Sequence, residues 1–413
     1  MLHTKLHSST RREFLLASGT LFAWAYLPKL ALAEGRDPRF LAIILRGALD
    51  GLATVAPVGD ADWVALRGDQ ALTFDGKTPP LKLDDFFALN PAMPNLQRMF
   101  LANEAIIVHA CATPYRERSH FDGQDLLESG LPKPAASESG WLNRALAGLA
   151  PGGRVDPKGR RVFAVGPVTP LVARGPAPVL SWSPQRIQPA SDDTMQRLLD
   201  LYRHSDAKLA SVLEDNSKLT AIEQSGDMVM GQKPGGPGPA QVRAYFSEAA
   251  GNAAKFLAQA DGPRVGALAL DGWDTHVNEG IANGRLSQLL GALDDALAAV
   301  QTNMGPAWKD TVVALSTEFG RTAHINGTDG TDHGTATVSL LVGGALKGGR
   351  VIADWPGLKS ADLYENRDLK PTTDLRAVIK GVLRDHLRAD DRALAQSVFP
   401  GSVDVKPMAG LVT

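Results

Sequence analysis

The chain has 413 residues, of which 44% are hydrophobic and 21% charged, a composition typical of folded globular proteins. Its 43 basic and 45 acidic side chains give a net charge of −2 without any basic stripe, which argues against a nucleic-acid partner. The single cysteine, Cys111, excludes an internal disulfide and lies in an apolar run, so we expect a buried thiol at a strand end.

The first 33 residues have the pattern of an export signal. Arg11 and Arg12 precede a modest apolar stretch at 14–32, and small residues stand at 31 and 33. Paired arginines, an apolar run and a small-x-small cleavage box predict a twin-arginine signal that is removed before Glu34. The protein would then be periplasmic or secreted, without a stable transmembrane segment. The alternative is an uncleaved N-terminal anchor.

Short apolar runs bounded by turn residues predict buried strands. They occupy residues 40–45, 105–110, 161–165, 265–270, 311–315 and 338–342. Between them, apolar residues recur with a helical period at residues 95–102, 140–149, 194–211, 242–259, 286–303 and 374–387. Strands that alternate with helices predict an α/β fold with a mostly parallel central sheet covered on both faces.

We expect residues 34–413 to form a single α/β domain with one insertion. Residues from about 181 to 240 are polar and helical in pattern, and they end in the Gly- and Pro-rich stretch 231–239. That composition is typical of a flexible or polyproline II connector. We therefore interpret the segment as a helical insertion or cap rather than a second domain.

Acidic residues and histidines follow the predicted strands directly. The carboxyl ends of parallel strands meet at one rim of a sheet, where ligands bind. Carboxylates crowded at this rim would repel each other unless a cation lay among them, and carboxylates with imidazoles are common metal ligands. The sequence therefore predicts a site for one or two divalent ions (zinc, or manganese or calcium) formed by Asp50, Asp274, His276, Glu318, Asp332 and His333.

Structural roles remain open for several of these positions. Asp50 precedes a glycine and would serve equally well in a turn. Asp274 would cap a following helix, and Ser119 would cap the helix that we expect to begin beside it. A metal site and a set of helix caps are therefore both compatible with these residues.

Several strings around these positions resemble one family. They lie at residues 45–52, 118–125, 140–144, 272–276, 317–322, 330–335 and 372–378. On these strings, over about residues 38–390, the chain is identified as a member of DUF1501, a family of uncharacterised exported bacterial proteins. DUF1501 belongs to the alkaline-phosphatase-like superfamily, together with sulfatases and cofactor-independent phosphoglycerate mutases. The resemblance implies a three-layer sandwich around a mostly parallel sheet.

The resemblance also implies roles for individual residues. It implies two metal ions held by the acids and histidines named above, and a nucleophile at Ser119, near a helix start where backbone N–H groups favour anions. The chain departs from the superfamily pattern in three places. Ser119 stands in the string Arg-Ser-His-Phe at 118–121, which differs from the usual nucleophile context. One residue instead of three separates Asp274 from His276, so Asp271 is a second candidate for that pair, and Glu318 stands in place of an Asp-His.

We interpret the chain as an exported metal-dependent hydrolase or transferase that acts on a phosphate or sulfate ester, small or polymeric. Ser119 would attack the ester beside His120, while Arg118 and Arg321 would either clamp substrate oxygens or pair with nearby acids. The alternative is a non-catalytic periplasmic or surface protein that keeps the fold and binds a polyanion, a glycan or another exported protein. A third interpretation is a metal chaperone or assembly factor. The metal content of the purified protein would distinguish these classes.

Overall fold

The computed structural model of the chain describes residues 36–149, 155, 160–183, 192–206, 210 and 238–413. The chain divides into a unit at 1–37 and a unit at 38–413. The predicted export signal and most of the predicted insertion lie outside the described residues. In the part that is described, we find no helix with the length and apolar character needed to cross a membrane.

Twelve strands are present among the described residues. In chain order they are β1 (Arg39–Arg46), β2 (Val55–Ala56), β3 (Leu81–Lys82), β4 (Ala88–Leu89), β5 (Ala105–Ala112), β6 (Val162–Val165), β7 (Val179–Trp182), β8 (Val265–Asp271), β9 (Thr311–Ser316), β10 (Thr337–Val342), β11 (Arg350–Ile352) and β12 (Thr373–Asp374). Nine of them form the central sheet in the order β11-β5-β10-β9-β1-β8-β6-β7, with β12 beside β5. Only β10 runs antiparallel to its neighbours, so the predicted mostly parallel sheet is confirmed.

Helices connect these strands as the α/β pattern requires. In chain order the described helices are α1 (Gly51–Thr54), α2 (Trp63–Arg67), α3 (Pro94–Leu101), α4 (His120–Ser129), α5 (Trp141–Ala147), α6 (Asp192–Ser205), α7 (Pro239–Ala258), α8 (Arg285–Met304), α9 (Leu375–Leu387) and α10 (Asp391–Ala393). Each of the six predicted strands and six predicted helices is confirmed in position. The helix predicted over 194–211 is described over 192–205, and residues 207–209 and 211 of that prediction lie outside the described part of the chain.

The sheet separates two hydrophobic cores because successive side chains of a strand point to opposite faces. In β1, Leu41 and Ile43 join the core that α7 and α8 cover, whereas Ala42 and Ile44 join the core that α5 and α9 cover. A strand buried on both faces needs a continuous apolar sequence, which is what β1 has. The α/β fold with both faces of the sheet covered is thus confirmed.

One rim of the sheet collects the carboxyl ends of four strands. β1, β5, β8 and β9 point the same way, so their carboxyl ends meet there. Because β10 runs back between β9 and β5, the segment 317–336 both begins and ends at this rim. Gly47, directly after β1, has a φ of +117°, and a Cβ there would lie 2.6 Å from the backbone nitrogen of Asp274. Glycine therefore lets the loops after β1 and β8 pack together.

Candidate metal centre

Three loops at this rim bring three histidines and one aspartate together. His120 opens α4 after β5, Asp274 and His276 follow β8, and His333 lies between β9 and β10. A Cβ at Gly330 would lie 2.2 Å from the carbonyl oxygen of His276, so the second and third loops reach this packing only with glycine at that position. We call His120, Asp274, His276 and His333 the four-residue cluster.

Several pairs of donor atoms in the four-residue cluster have the spacing of ligands around an ion. Nε2 of His276 lies 2.9 Å from Nε2 of His333 and 3.1 Å from Oδ1 of Asp274. Nε2 of His333 lies 3.4 Å from the same oxygen, and Nε2 of His120 lies 3.4 Å from Oδ2. Zinc bonds of about 2.0–2.1 Å in a tetrahedral arrangement would separate neighbouring ligand atoms by about 3.3 Å. Donor atoms of His120, Asp274 and His333 also lie mutually within 4.8 Å.

Each histidine of the cluster is oriented through its other ring nitrogen. Nδ1 of His120 contacts Oε1 of Glu318 at 2.8 Å, Nδ1 of His276 contacts Oδ1 of Asp332 at 3.2 Å, and Nδ1 of His333 contacts the Arg118 carbonyl oxygen at 2.9 Å. Carboxylate and carbonyl oxygens only accept, so each Nδ1 carries a proton, and Nε2 is the nitrogen that each ring directs at the cluster. A ring held in this way is typical of metal-binding histidines.

The carboxylates of the site favour a positive charge among the histidines. Burial alone would lower the pKa of His120, but the neighbouring carboxylates of Asp274 and Glu318 outweigh burial and raise that pKa to about 9. Burial raises the pKa of Asp274, yet the contacts with His120 and His333 and the charge of Arg321 hold it well below its usual range. For His276, burial prevails and lowers the pKa.

Arg321 fixes the aspartate of the cluster. Its buried guanidinium donates from Nη1 to Oδ1 of Asp274 at 2.5 Å and from Nε to Oγ1 of Thr331 at 3.1 Å. Its remaining contact is with the carbonyl oxygen of Thr331. The sequence offered a substrate clamp or an ion pair with Glu318 for this arginine. The structure instead pairs it with Asp274 and ties that residue to the loop that carries His333.

The donor set fits a divalent cation. Buried polar atoms ordinarily have a hydrogen-bond partner, yet the buried Nε2 of His120 makes an ion-pair contact with Oδ2 of Asp274 at 3.4 Å and no hydrogen bond among the described residues. Three imidazole nitrogens and one carboxylate oxygen are typical ligands of zinc and related transition metals. A cation in contact with these atoms would complete the coordination that the four side chains begin.

Two of the predicted metal ligands lie behind the cluster rather than in it. Glu318 is fully buried and contacts the Nδ1 side of His120. Asp332 is half exposed and contacts the Nδ1 side of His276. Both carboxylates therefore orient a histidine of the cluster.

Asp50 makes no contact with the cluster. Its carboxylate is buried, and Oδ1 accepts from the Ala53 N–H at 3.0 Å at the start of α1. The guanidinium of Arg67 binds both oxygens, at 2.7 and 3.1 Å. The sequence left a turn role open for Asp50; the structure makes it the helix cap of α1 and gives it a buried ion pair.

Ser119 and Arg118 adjoin the cluster through the backbone. Ser119 is the N-cap residue of α4, but its side chain makes no capping hydrogen bond, and its N–H donates to Oη of Tyr115 at 3.2 Å. Arg118 has a φ of +60° and offers its carbonyl oxygen to His333. Its guanidinium points to Asp368 and Glu365, at 2.9 and 2.5 Å, so it is engaged in ion pairs and not in a clamp over the cluster.

Sequence reasoning missed Glu279, which joins two of the site loops. Its buried carboxylate accepts from Oγ1 of Thr275 at 2.8 Å and from Oγ1 of Thr331 at 3.1 Å. Burial raises the pKa of Glu279 to about 7. Both threonines are sequence neighbours of predicted ligands, and this was the one feature of the sequence that pointed to Glu279.

Sequence reasoning also missed Arg67, the partner of Asp50. The sequence held no comparable signal for it because a single arginine in a helix is ordinarily exposed.

Comparison with known families places most of the chain in one family. A family model described as "Protein of unknown function (DUF1501)" matches residues 37–398. Among curated proteins, no sequence matches this chain.

Solved structures similar to this chain include three proteins of low sequence identity. The PsFucS1 sulfatase from Pseudoalteromonas sp. is 13% identical, with a TM-score of 0.40 over 81% of this chain and 68% of that one. A protein in the alkaline phosphatase superfamily from Vibrio parahaemolyticus is 12% identical, with a TM-score of 0.36 over 93% and 75%. The phosphonate monoester hydrolase of Agrobacterium radiobacter is 13% identical, with a TM-score of 0.32 over 76% and 70%.

Proposed function

The chain belongs to the DUF1501 family, and we propose that it is an exported, metal-dependent hydrolase of phosphate or sulfate esters. The observation that carries this proposal is the convergence of three histidine Nε2 atoms on the carboxylate of Asp274 at the ligand-binding rim of an α/β sheet. Export rests on the pattern of residues 1–33, which predicts a periplasmic or secreted enzyme.

The residues of the cluster would hold a divalent ion beside the reacting ester. When bound there, a divalent ion would supply positive charge that stabilises the negative charge developing on the ester oxygens. Asp274 is held in place by Arg321, and the three rings are held by their Nδ1 hydrogen bonds, so the donors need little rearrangement. This preorganisation supports a catalytic role for the rim.

Ser119 is the proposed nucleophile. It adjoins His120 in the chain and stands at the start of the ten-residue helix α4, where backbone N–H groups and the helix dipole favour an anionic group. Its hydroxyl is not used as a helix cap. The chemistry would be attack of this hydroxyl on the phosphorus or sulfur atom of the ester with departure of the alcohol.

The experiment is a metal and turnover assay on protein folded in the cytoplasm and purified without chelator. Elemental analysis should find a bound divalent metal, and a panel of 4-nitrophenyl phosphate, phosphodiester and sulfate should include one ester that is hydrolysed. Chelation should abolish turnover and re-addition of the metal should restore it. His333→Ala should lose both metal and turnover, whereas His324→Ala, an exposed histidine of the same segment, should keep both.

Metal-loaded protein that hydrolyses no ester in the panel would contradict the hydrolase. That result would favour a periplasmic or surface protein that keeps the fold and uses the same rim to bind a polyanion, a glycan or another exported protein.

A further inference from the structure

We propose that the rim holds one metal ion and not two, that His276 is its fourth donor, and that Glu318 and Asp50 take no part in its coordination. This inference rests on the metal dependence of the proposed function. It concerns how many ions the chain holds and of which class, so its test does not depend on ester turnover.

The position of His276 is the first argument. Its Nδ1 donates to Asp332 and the Nδ1 of His333 donates to a carbonyl oxygen, so in their neutral forms the two rings direct their Nε2 lone pairs at one another across 2.9 Å. Two lone pairs at that distance repel unless a proton or a cation lies between them. Oδ1 of Asp274, 3.1 Å from the first nitrogen and 3.4 Å from the second, adds negative charge at the same point. One ion shared by all three residues removes the conflict.

The hydrogen bonds of Glu318 are the second argument. Its Oε1 accepts from Nδ1 of His120 at 2.8 Å, from the N–H of Gly47 at 2.9 Å and from Nε2 of Gln124 at 2.9 Å. Its Oε2 accepts from Oγ1 of Thr317 at 2.9 Å. Three of these four donors converge on Oε1, the oxygen that contacts His120, so its two lone pairs are already used. Glu318 is therefore a positioning residue for His120.

The environment of Asp50 is the third argument. Its two oxygens bind the guanidinium of Arg67, and the side chains of the pair are 1% and 0% exposed. Oδ1 also accepts the N–H of Ala53. A fixed guanidinium charge thus neutralises the acid that the sequence pattern assigned to a metal. Asp50 and Glu318, two of the acids that the sequence pattern assigned to metal, are thus both engaged with other partners.

The remaining donor set selects a class of metal. Calcium and magnesium are bound through six or more oxygen atoms, many of them from carboxylates, carbonyls and water. Three imidazole nitrogens with one carboxylate oxygen suit zinc, and also cobalt and other first-row transition metals. We therefore expect zinc-class binding in preference to calcium.

The test counts ions and does not measure turnover. The full-length protein would be freed of metal and titrated with Co²⁺, following its visible absorption, and with Zn²⁺ and Ca²⁺ by calorimetry. We expect one Co²⁺ or Zn²⁺ per chain and no Ca²⁺ binding that competes with Zn²⁺. Two equivalents of Zn²⁺ per chain, or tight Ca²⁺ binding that displaces Zn²⁺, would overturn the proposal.

Variants separate the donors from the positioning acid. His276→Ala should weaken Zn²⁺ binding more than Glu318→Gln, which should keep one ion per chain with affinity about 10- to 100-fold lower. His324→Ala, an exposed histidine outside the cluster, should bind like the wild type. Asp50→Asn, checked for folding by circular dichroism, is a second variant that should keep one ion. Unchanged affinity in His276→Ala, or the loss of a full equivalent in Glu318→Gln or Asp50→Asn, would refute the assignment.

Discussion

The substitution Asp50→Asn distinguishes a structural acid from a metal ligand. Asparagine keeps the oxygen that accepts the Ala53 N–H, so the cap survives, but it removes the charge that faces Arg67. Both side chains of the pair are fully buried. Breaking such a pair from one side typically costs about 3–5 kcal/mol because the remaining charge stays buried without its partner.

The size of the effect follows from the lost ion pair alone. The guanidinium lies 5.6 Å from the ring centre of Trp63, and this cation–π contact is present in both proteins, so it does not change the difference. We therefore expect a loss of about 3–5 kcal/mol. A domain the size of residues 38–413 unfolds with an entropy of about 0.8 kcal/mol/K, so Tm should fall by about 4–6 °C.

Calorimetry and elemental analysis on the same samples provide the assay. Asp50→Asn should lower Tm and leave metal content unchanged. Asp85→Asn is the matched control, because its ion pair with Lys82 is solvent-exposed and its loss should leave Tm unchanged. An Asp50→Asn protein with wild-type Tm and less bound metal would refute the reasoning and restore Asp50 as a ligand.

Three further predictions concern other parts of the chain. Burial lowers the pKa of His109 from 6.5 to about 4, so between these values the unfolded chain binds a proton that the folded protein excludes, and stability falls as the pH is lowered. The loss from pH 7 to pH 5 should be about 2 kcal/mol, and denaturation of His109→Gln at both pH values should lack it. Replacing Arg11 and Arg12 by lysine should leave folded, unprocessed precursor in the cytoplasm on immunoblots; normal processing would contradict the twin-arginine route. Ser119→Ala should abolish ester turnover without changing metal content or Tm, and retained turnover would remove Ser119 as nucleophile.

The sequence predicted the elements of the sheet well because buried strands need continuous apolar runs. The run 311–315, for example, became β9 over Thr311–Ser316. The direction of β10 was not predictable in the same way, since an apolar run looks identical in either orientation. That direction is decided by the returning segment 317–336, whose path depends on tertiary packing.

The location of the site was predictable, but the division of roles within it was not. The rule that ligands bind beyond the carboxyl ends of strands brought Asp274, His276 and His333 to one rim, as the structure has them. Whether an acid holds an ion or a hydrogen bond depends on which donors surround it. For Glu318 these donors include Gln124, from a different segment of the chain, which no local spacing reveals.

The separation of the cluster residues along the chain has a consequence for how the protein holds together. Arg118, two residues before His120, lies 215 positions from His333, yet the two residues meet at the cluster. An ion bound there would act as a cross-link that closes this long loop, in a chain whose single cysteine cannot provide one. At a thousandfold excess of free metal over its Kd, such binding would add about 4 kcal/mol to the stability of the fold. The metal would then serve as a reversible substitute for a disulfide.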